Sequence, residues 1–497
     1  MISVLVFLPL AAALILAAVP RLGDRVVRWV WVAVSAAEVV LVAVLWWSYR
    51  RTPPASGQFA FEERIAWIPS LRASYHVGLD GFGLPLVAMT TVLFLACAVY
   101  SLRETRRVRW FAALFLFLET VCLGVFVSLD LVLFFVFFDL SIVGMYFVIN
   151  GWGHGQARRA ALQFFLYTFI GSLALLLGFI VLYLSADPHT FDIVELTAAN
   201  PLADNAVRGS IALAAIVLGL AVKTPTVPFH TWLPPAHTEA PAAGSAVLAG
   251  VLLKLGTYGF VRIAMPLLPE AWRRYALAVV IVGVVSVLYG ALVALAQRNF
   301  KRMIAYTSVN HMGYILLALG AAGLLAGNSE QARALAITGA VTQMVSHGLI
   351  TGALFLIAGV LYARRETYDL DAFGGLAAAA PVLAAATAVA SMASLGLPGF
   401  SGFIAEFQVF LGSFAPAPVL TAIALTGILI TAALLLRAYQ SIFLGPKRIG
   451  EFTDVTAPEA WSIIPLLAGS LVIGLAPRFL LDVIEPSARV LGLLVEG

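Results

Sequence analysis

The chain of 497 residues is 62% hydrophobic and only 11% charged, with a formal net charge of +4 and a mean hydropathy of +0.98. A water-soluble protein of this length needs about a quarter of its residues charged, so a soluble enzyme is excluded and the surface must face a lipid bilayer. The basic residues are scattered over short loops rather than gathered in a run, which excludes a nucleic-acid partner and a polybasic tail.

Apolar runs of roughly 20 residues, long enough to cross a ~30 Å hydrocarbon core as a helix, recur about fourteen times. They fall near 2–20, 27–48, 78–101, 110–128, 130–150, 161–184, 209–227, 241–265, 275–297, 303–323, 333–361, 378–397, 417–441 and 460–481. Met1 to Pro20 has no basic n-region and no small-residue cleavage site, and reads as a retained first helix. The runs are continuously apolar without alternation, so helices rather than barrel strands satisfy the backbone in lipid. Arg21, Arg25, Arg28, Arg103, Arg106, Arg107, Arg109, Arg158, Arg159, Arg298, Lys301, Arg302, Arg364, Arg365, Lys447 and Arg448 fall in or beside the loops after odd-numbered spans. The positive-inside rule makes those loops cytoplasmic and both termini periplasmic. The long polar segment from Arg51 to Ala73 is the strongest exception.

Two spans carry helix-breaking chemistry. The first runs from Lys223 through Pro225, Pro228, His230, Pro234 and Pro235 to His237; the second runs from Leu395 through Gly396, Pro398, Gly399 and Gly402 to Glu406. Irregular backbone at membrane depth survives where it lines a wet or protein-filled interior, so both read as discontinuous helices on a polar pathway. They lie roughly 170 residues apart, and about five spans around each can be overlaid, an odd number that inverts the second set. The expected fold is therefore an all-α polytopic membrane protein of about 14 transmembrane helices with two inverted five-helix repeats, each containing a discontinuous helix. The expected divisions are helices 1–3 over residues 1–108, a first repeat over 109–266, a second over 267–441, and a last helix and tail over 442–497. Prolines that merely kink packed helices are the alternative.

The ionisable residues inside the spans are Glu119, Asp139, Lys223, Lys254, His311, His347 and Glu406. A charge at the centre of a helix costs about 2.5–3.5 kcal/mol on insertion, so each needs a partner, water or a function. A counter-charge about 4 Å away at an effective dielectric near 20 is worth about 4 kcal/mol, comparable to the burial penalty. Making or breaking such a pair decides whether a buried lysine keeps its proton. Asp139 and Lys223 fall in the same repeat and form the natural pair; a permanent salt bridge holding two helices together is the alternative. His347 shares a helical face with Gln343 and Thr351, and His311 with Thr307 and Tyr314, making polar stripes suited to passing protons. Glu38, Glu119 and Glu459 read equally well as structural, and His230 and His237 as ring-packed residues of the broken helix. His76, His154 and His189 lie in loops without an assigned role. Cys97 and Cys122 have no second sulfur at ligand spacing and no phosphate-binding glycine loop is present, so no metal or cofactor site is expected in this chain.

The string KTPTVPFHTWLPPAHTEAPAAGSAVLAGVLLKLGTYG at 223–259, with HMGY at 311–314, QMVSHGLITGALF at 343–355 and LGLPGFSGFIAEF at 395–407, resembles the antiporter-like subunits of respiratory complex I and its relatives. The resemblance implies a proton-translocating subunit of an NADH:quinone oxidoreductase. It assigns gating to Lys223 and Asp139, relay to Lys254, His311 and His347, and terminal exchange to Glu406. On the reading of the residues themselves, Glu119, His230, His237 and Gln343 are candidate accessory positions. Glutamate rather than lysine at 406 is similar to M-type members, as is the end of the chain at Gly497 without a long lateral helix. NAD, FMN, iron–sulfur clusters and quinone are then expected in partner subunits, among them L- and N-type antiporter-like subunits. The excess of arginine over lysine and the abundance of alanine point to a bacterial chain, hence a bacterial cytoplasmic membrane. A subunit of a multisubunit sodium/proton antiporter is the alternative. Asp139 stands where the family generally has glutamate, which shortens the reach toward Lys223 by about one bond length.

Overall fold

Nearly every apolar run forms a helix in the computed structural model, which describes residues 1–324, 329–446 and 450–496. Lys447 and Arg448 of the basic loops lie outside the described residues. In chain order the helices are α1 (Ile2–Ala18), α2 (Asp24–Arg51), α3 (Gly83–Tyr100), α4 (Val108–Val127), α5 (Leu131–Trp152), α6 (Ala157–Ser185), the short α7 (Ile193–Ala199), α8 (Ala206–Lys223) and α9 (Leu233–Glu239). They continue as α10 (Ala242–Leu267), α11 (Pro269–Leu295), α12 (Phe300–Leu324), α13 (Glu330–Arg365), α14 (Pro381–Ser394), α15 (Ser401–Phe414), α16 (Pro418–Phe443), α17 (Ala457–Leu475) and α18 (Arg478–Leu494). Eleven of the described helices are long and apolar enough to cross a membrane by length and composition, and α1 and α14 are shorter apolar helices.

Local chemistry sets the boundaries. The Asp130 side chain accepts from the amides of Val132 and Leu133 at the start of α5, and Asp192 caps α7 in the same way. Thr456 and Glu459 form a reciprocal capping box on α17. Proline at the first position opens α11, α14 and α16, where the missing amide costs nothing.

Burial separates lipid-facing helices from the interior. Within their apolar windows α2 and α16 are only 28% and 33% buried, whereas α10 and α13 are buried along the whole window. The 36-residue α13 is the central pillar, packed against α3, α10, α12, α14, α15 and α17. A polar side chain on α10 or α13 therefore meets protein rather than lipid, and these helices carry Lys254, Gln343 and His347.

Three features depart from the sequence reading. The polar segment after α2 is not a plain loop, because β1 (Ala60–Ile68) and β2 (Ala73–Leu79) pair as an antiparallel hairpin. Arg64 stands opposite His76 in that register. The chain beyond the last long apolar run forms α18, which buries Leu480, Val483, Ile484, Ala488 and Leu491 at helical spacing along one face. Finally, Lys301, read with the loop charges, is buried in the first turn of α12 and donates to the Ala240 carbonyl at 2.5 Å.

Candidate functional site

Both sequence-marked breaks are present, and each places an ionisable residue in the interior. Helix α8 ends at Lys223, and Pro225 prevents its continuation. The chain then runs without regular helix to α9, held by Trp232 Nε1 donating to the Val222 carbonyl at 2.9 Å and by the Val227 amide donating to Ser286 Oγ at 3.0 Å. Lys223 thus occupies the last turn of a helix, where unsatisfied carbonyls favour a cation. Its ammonium is buried, donates to Ser141 Oγ of α5 at 2.9 Å, and sits 4.9 Å from the Phe138 ring centroid.

Asp139 lies on the same stretch of α5, within Coulomb reach of Lys223, yet the two form no ion pair within 4.0 Å among the described residues. Its Oδ1 is buried without a hydrogen-bond partner. The pair expected from sequence is therefore near but not closed, and Ser141 takes the direct contact. Ser141 went unremarked in the sequence; its only signal was a hydroxyl two residues from Asp139 in an otherwise apolar span.

The second group is contiguous. Lys254 is fully buried on α10 between two π-helical turns, Leu248–Leu252 and Phe260–Ala264. Such turns widen a helix and recur at functional positions. Its Nζ donates to the Ala249 carbonyl at 2.6 Å and lies 2.6 Å from Nδ1 of His347. The His347 and His311 rings lie 5.3 Å apart between centroids. Gln343 Nε2 is 3.1 Å from His311 Nδ1, which is also 3.9 Å from Glu406 Oε1. Ser394, at the end of α14, reaches His311 Nε2 at 3.5 Å. Lys254, His347, His311 and Glu406, which come from α10, α13, α12 and α15, thus form one file.

Glycine makes the seat for Glu406. Gly396 has φ +76, and a Cβ there would lie 2.2 Å from Glu406 Oε2. Gly402 lets α15 approach α14, since its Cβ would lie 2.3 Å from the Ala393 carbonyl oxygen. Between the two groups stands Thr224, whose buried hydroxyl has no partner and whose Oγ1 would be 2.5 Å from a Cβ on Gly256, two residues beyond Lys254.

The accessory positions are placed unequally. His237 is fully buried, stacks on Phe355 at 4.5 Å, and has both ring nitrogens without a hydrogen-bond partner. His230 packs edge-on against Tyr289 at 4.8 Å. Glu119 lies apart from the file and accepts from Ser35 Oγ at 2.9 Å. Outside the spans, burial, reinforced by the Lys301 charge, holds the His154 imidazole down to about 4. His76 joins the hairpin to α7, with Nδ1 2.6 Å from Asp192 Oδ2 and Nε2 2.8 Å from Glu62 Oε1. No group of metal-ligating residues occurs among the described residues.

Comparison with known proteins identifies the family and the fold. Residues 128–431 match the family described as NADH:quinone oxidoreductase/Mrp antiporter, transmembrane. The chain is 38% identical over 500 residues to the NADH-quinone oxidoreductase subunit M of Rickettsia conorii, covering 98% of each chain. A chain of respiratory complex I from Thermus thermophilus with bound NADH superimposes with a TM-score of 0.90 at 28% identity, covering 100% of both chains. A chain of the Mrp complex from Dietzia sp. shares the fold with a TM-score of 0.87 at 22% identity, covering 100% of this chain and 99% of that one. With its two helix breaks, its buried lysines and this match across more than half its length, the chain belongs to the NADH:quinone oxidoreductase/Mrp antiporter family of membrane subunits.

Proposed function

We propose that this chain is the M-type proton-translocating membrane subunit of a bacterial NADH:quinone oxidoreductase, moving protons through its interior while other subunits carry out redox chemistry. The likeness to subunit M of Rickettsia conorii along nearly the whole chain supports the complex. The file from Lys254 through His347 and His311 to Glu406 carries the mechanism, because each member can hold or pass a proton and each stands near the next.

In this reading Lys223 holds a proton at the α8 break while Asp139 sets its local field. Closing the Asp139–Lys223 gap stabilises the ammonium, and opening it frees a proton toward Thr224 and Lys254. Lys254 passes it to His347, His311 relays it, and Glu406 exchanges it at the far end. Glu119, His230, His237 and Gln343 are accessory, with Gln343 orienting His311. The chain holds no cofactor of its own; NAD, FMN, iron–sulfur clusters and quinone belong to partner subunits, and L- and N-type subunits are its lateral neighbours. The membrane region has about fourteen passes in two inverted repeats, with both termini on the periplasmic side.

The test is proton pumping by the intact complex in proteoliposomes. Lys223→Ala is expected to abolish acidification while the complex still assembles. Unchanged pumping would leave the chain a passive scaffold, and sodium-dependent transport without quinone turnover would make it an antiporter subunit.

A further inference from the structure

Two carboxyl groups lie outside the file, on helices that precede residue 128, where the family match begins. Glu38 on α2 and Glu119 on α4 are both 0% exposed. Ser35, one turn before Glu38, donates to Glu119 Oε2 at 2.9 Å. Residues three apart share a helix face, so Glu38 and Ser35 both point from α2 toward α4. Both oxygens of Glu38 and Oε1 of Glu119 are buried with no hydrogen-bond partner. No cation forms an ion pair with either carboxyl among the described residues.

The surroundings offer no other proton donor of comparable acidity. The ionisable groups near the pair are the free thiols of Cys97 on α3 and Cys122 on α4. Helix α1, which packs on α2 and α4, has no ionisable side chain. Helices α5 and α10 also touch α4 but bring no charge into the Coulomb surroundings of either carboxyl. A lone carboxylate in such an interior is strongly disfavoured, and two neighbouring carboxyls without a cation cannot both ionise.

We propose that Glu38 and Glu119 form a second proton-holding site, in which two carboxyl groups on facing helices share protonation apart from the file between Lys223 and Glu406. The Ser35 hydroxyl supports negative charge on Glu119 alone, which makes Glu38 the resting acid and Glu119 the group that accepts its proton. That transfer breaks the O–H bond of Glu38 and forms one on Glu119, with no other reactant. Cys122, one turn beyond Glu119, lies within Coulomb reach of both Glu119 and Lys223.

The test is infrared difference spectroscopy of the assembled complex in membranes, reading the C=O stretch of protonated carboxyl groups and its shift in deuterium oxide. Glu38→Gln and Glu119→Gln keep the size of a neutral carboxyl, and each is expected to remove or move the same band. The double variant should add no further loss. Spectra unchanged in both single variants, or two independent bands lost additively, would overturn the proposal. Should Glu38→Gln fail to assemble on native gels, Ser35→Ala keeps both carboxyls and is expected to shift the band, and an unmoved band there also overturns it. The readout does not depend on pumping, so it fails or holds separately from the function proposed above.

Discussion

The Lys254 ammonium on α10 lies 2.6 Å from Nδ1 of His347 on α13. At that distance a proton on one nitrogen disfavours a proton on the other, and in the proposed pathway this contact is where Lys254 hands its proton to His347. No ion pair within 4.0 Å links Lys223 to Asp139 among the described residues.

Replacing His347 with Gln keeps a polar group of similar reach but removes the second protonation state. We expect pumping by the assembled complex to fall about 100-fold, the scale of a lost acid–base group. The rate of fluorescence quenching in proteoliposomes reads this directly, and a loss below twofold would remove His347 from the path.

Asp139 stops short of Lys223, and a glutamate there extends the carboxylate by about 1.5 Å. Asp139→Glu is expected to keep or raise the pumping rate, whereas Asp139→Asn lowers it about tenfold or more. Equal rates in both variants would mean the carboxylate charge does not act on the lysine.

Ser141 is the direct hydrogen-bond partner of the Lys223 ammonium. A bond to a charged group is worth about 1.5–3 kcal/mol, so Ser141→Ala should slow turnover-linked pumping by roughly tenfold or more with the complex intact. Ser141→Thr, which keeps the hydroxyl, should recover most of the rate.

Gly396 and Gly445 both have positive φ, at +76 and +80, but only Gly396 faces another group, the Glu406 carboxylate. Alanine costs about 1–2 kcal/mol in that backbone region alone, so Gly445→Ala gives the backbone effect by itself. Gly396→Ala adds displacement of Glu406. Thermal unfolding of the complex should show a larger loss for Gly396→Ala, and pumping should fall in that variant alone.

The hairpin carries a pH dependence of definite sign. Burial works to lower the His76 imidazole, but hydrogen bonds and charge from Asp192 and Glu62 outweigh it and raise the group above its ordinary value of 6.5. Burial likewise works to raise Asp192, but hydrogen bonds from His76 and the Glu195 amide, with the charges of His76 and Arg64, hold it below 3.8. A raised imidazole contributes fully below the unfolded value and loses its contribution as pH rises through the folded one; a depressed carboxylate contributes above its unfolded value and loses it as pH falls through the folded one. Protection factors from hydrogen exchange across residues 60–79, corrected for the intrinsic amide rate at each pH, should therefore be largest in mildly acidic buffer and fall as the solution turns alkaline. His76→Asn should flatten that profile.

Much of the site was legible before any fold was known. Lysine in an apolar run and proline or glycine clusters at membrane depth are costly enough to mark themselves, and they located Lys223, Lys254, Glu406 and both breaks. Ser141 and Ser394 carry no such cost, because a hydroxyl is tolerated in any buried helix that offers it a carbonyl, so only its closeness to Asp139 marks Ser141 and nothing marks Ser394. Lys301 was misread because a basic residue just outside an apolar run looks like a loop charge until α9 is seen to bring the Ala240 carbonyl to it.

By itself the sequence determined that this chain lives in a bilayer as helices, because hydrocarbon leaves the backbone no other partner, and it determined which residues would be too expensive there without a purpose. Only the tertiary structure decided their company. It set Lys254 against His347, His311 against Glu406, and Lys223 against Ser141 rather than Asp139. Those contacts join helices far apart in the chain, and hydropathy reports how deep a residue lies but not which neighbour its side chain meets.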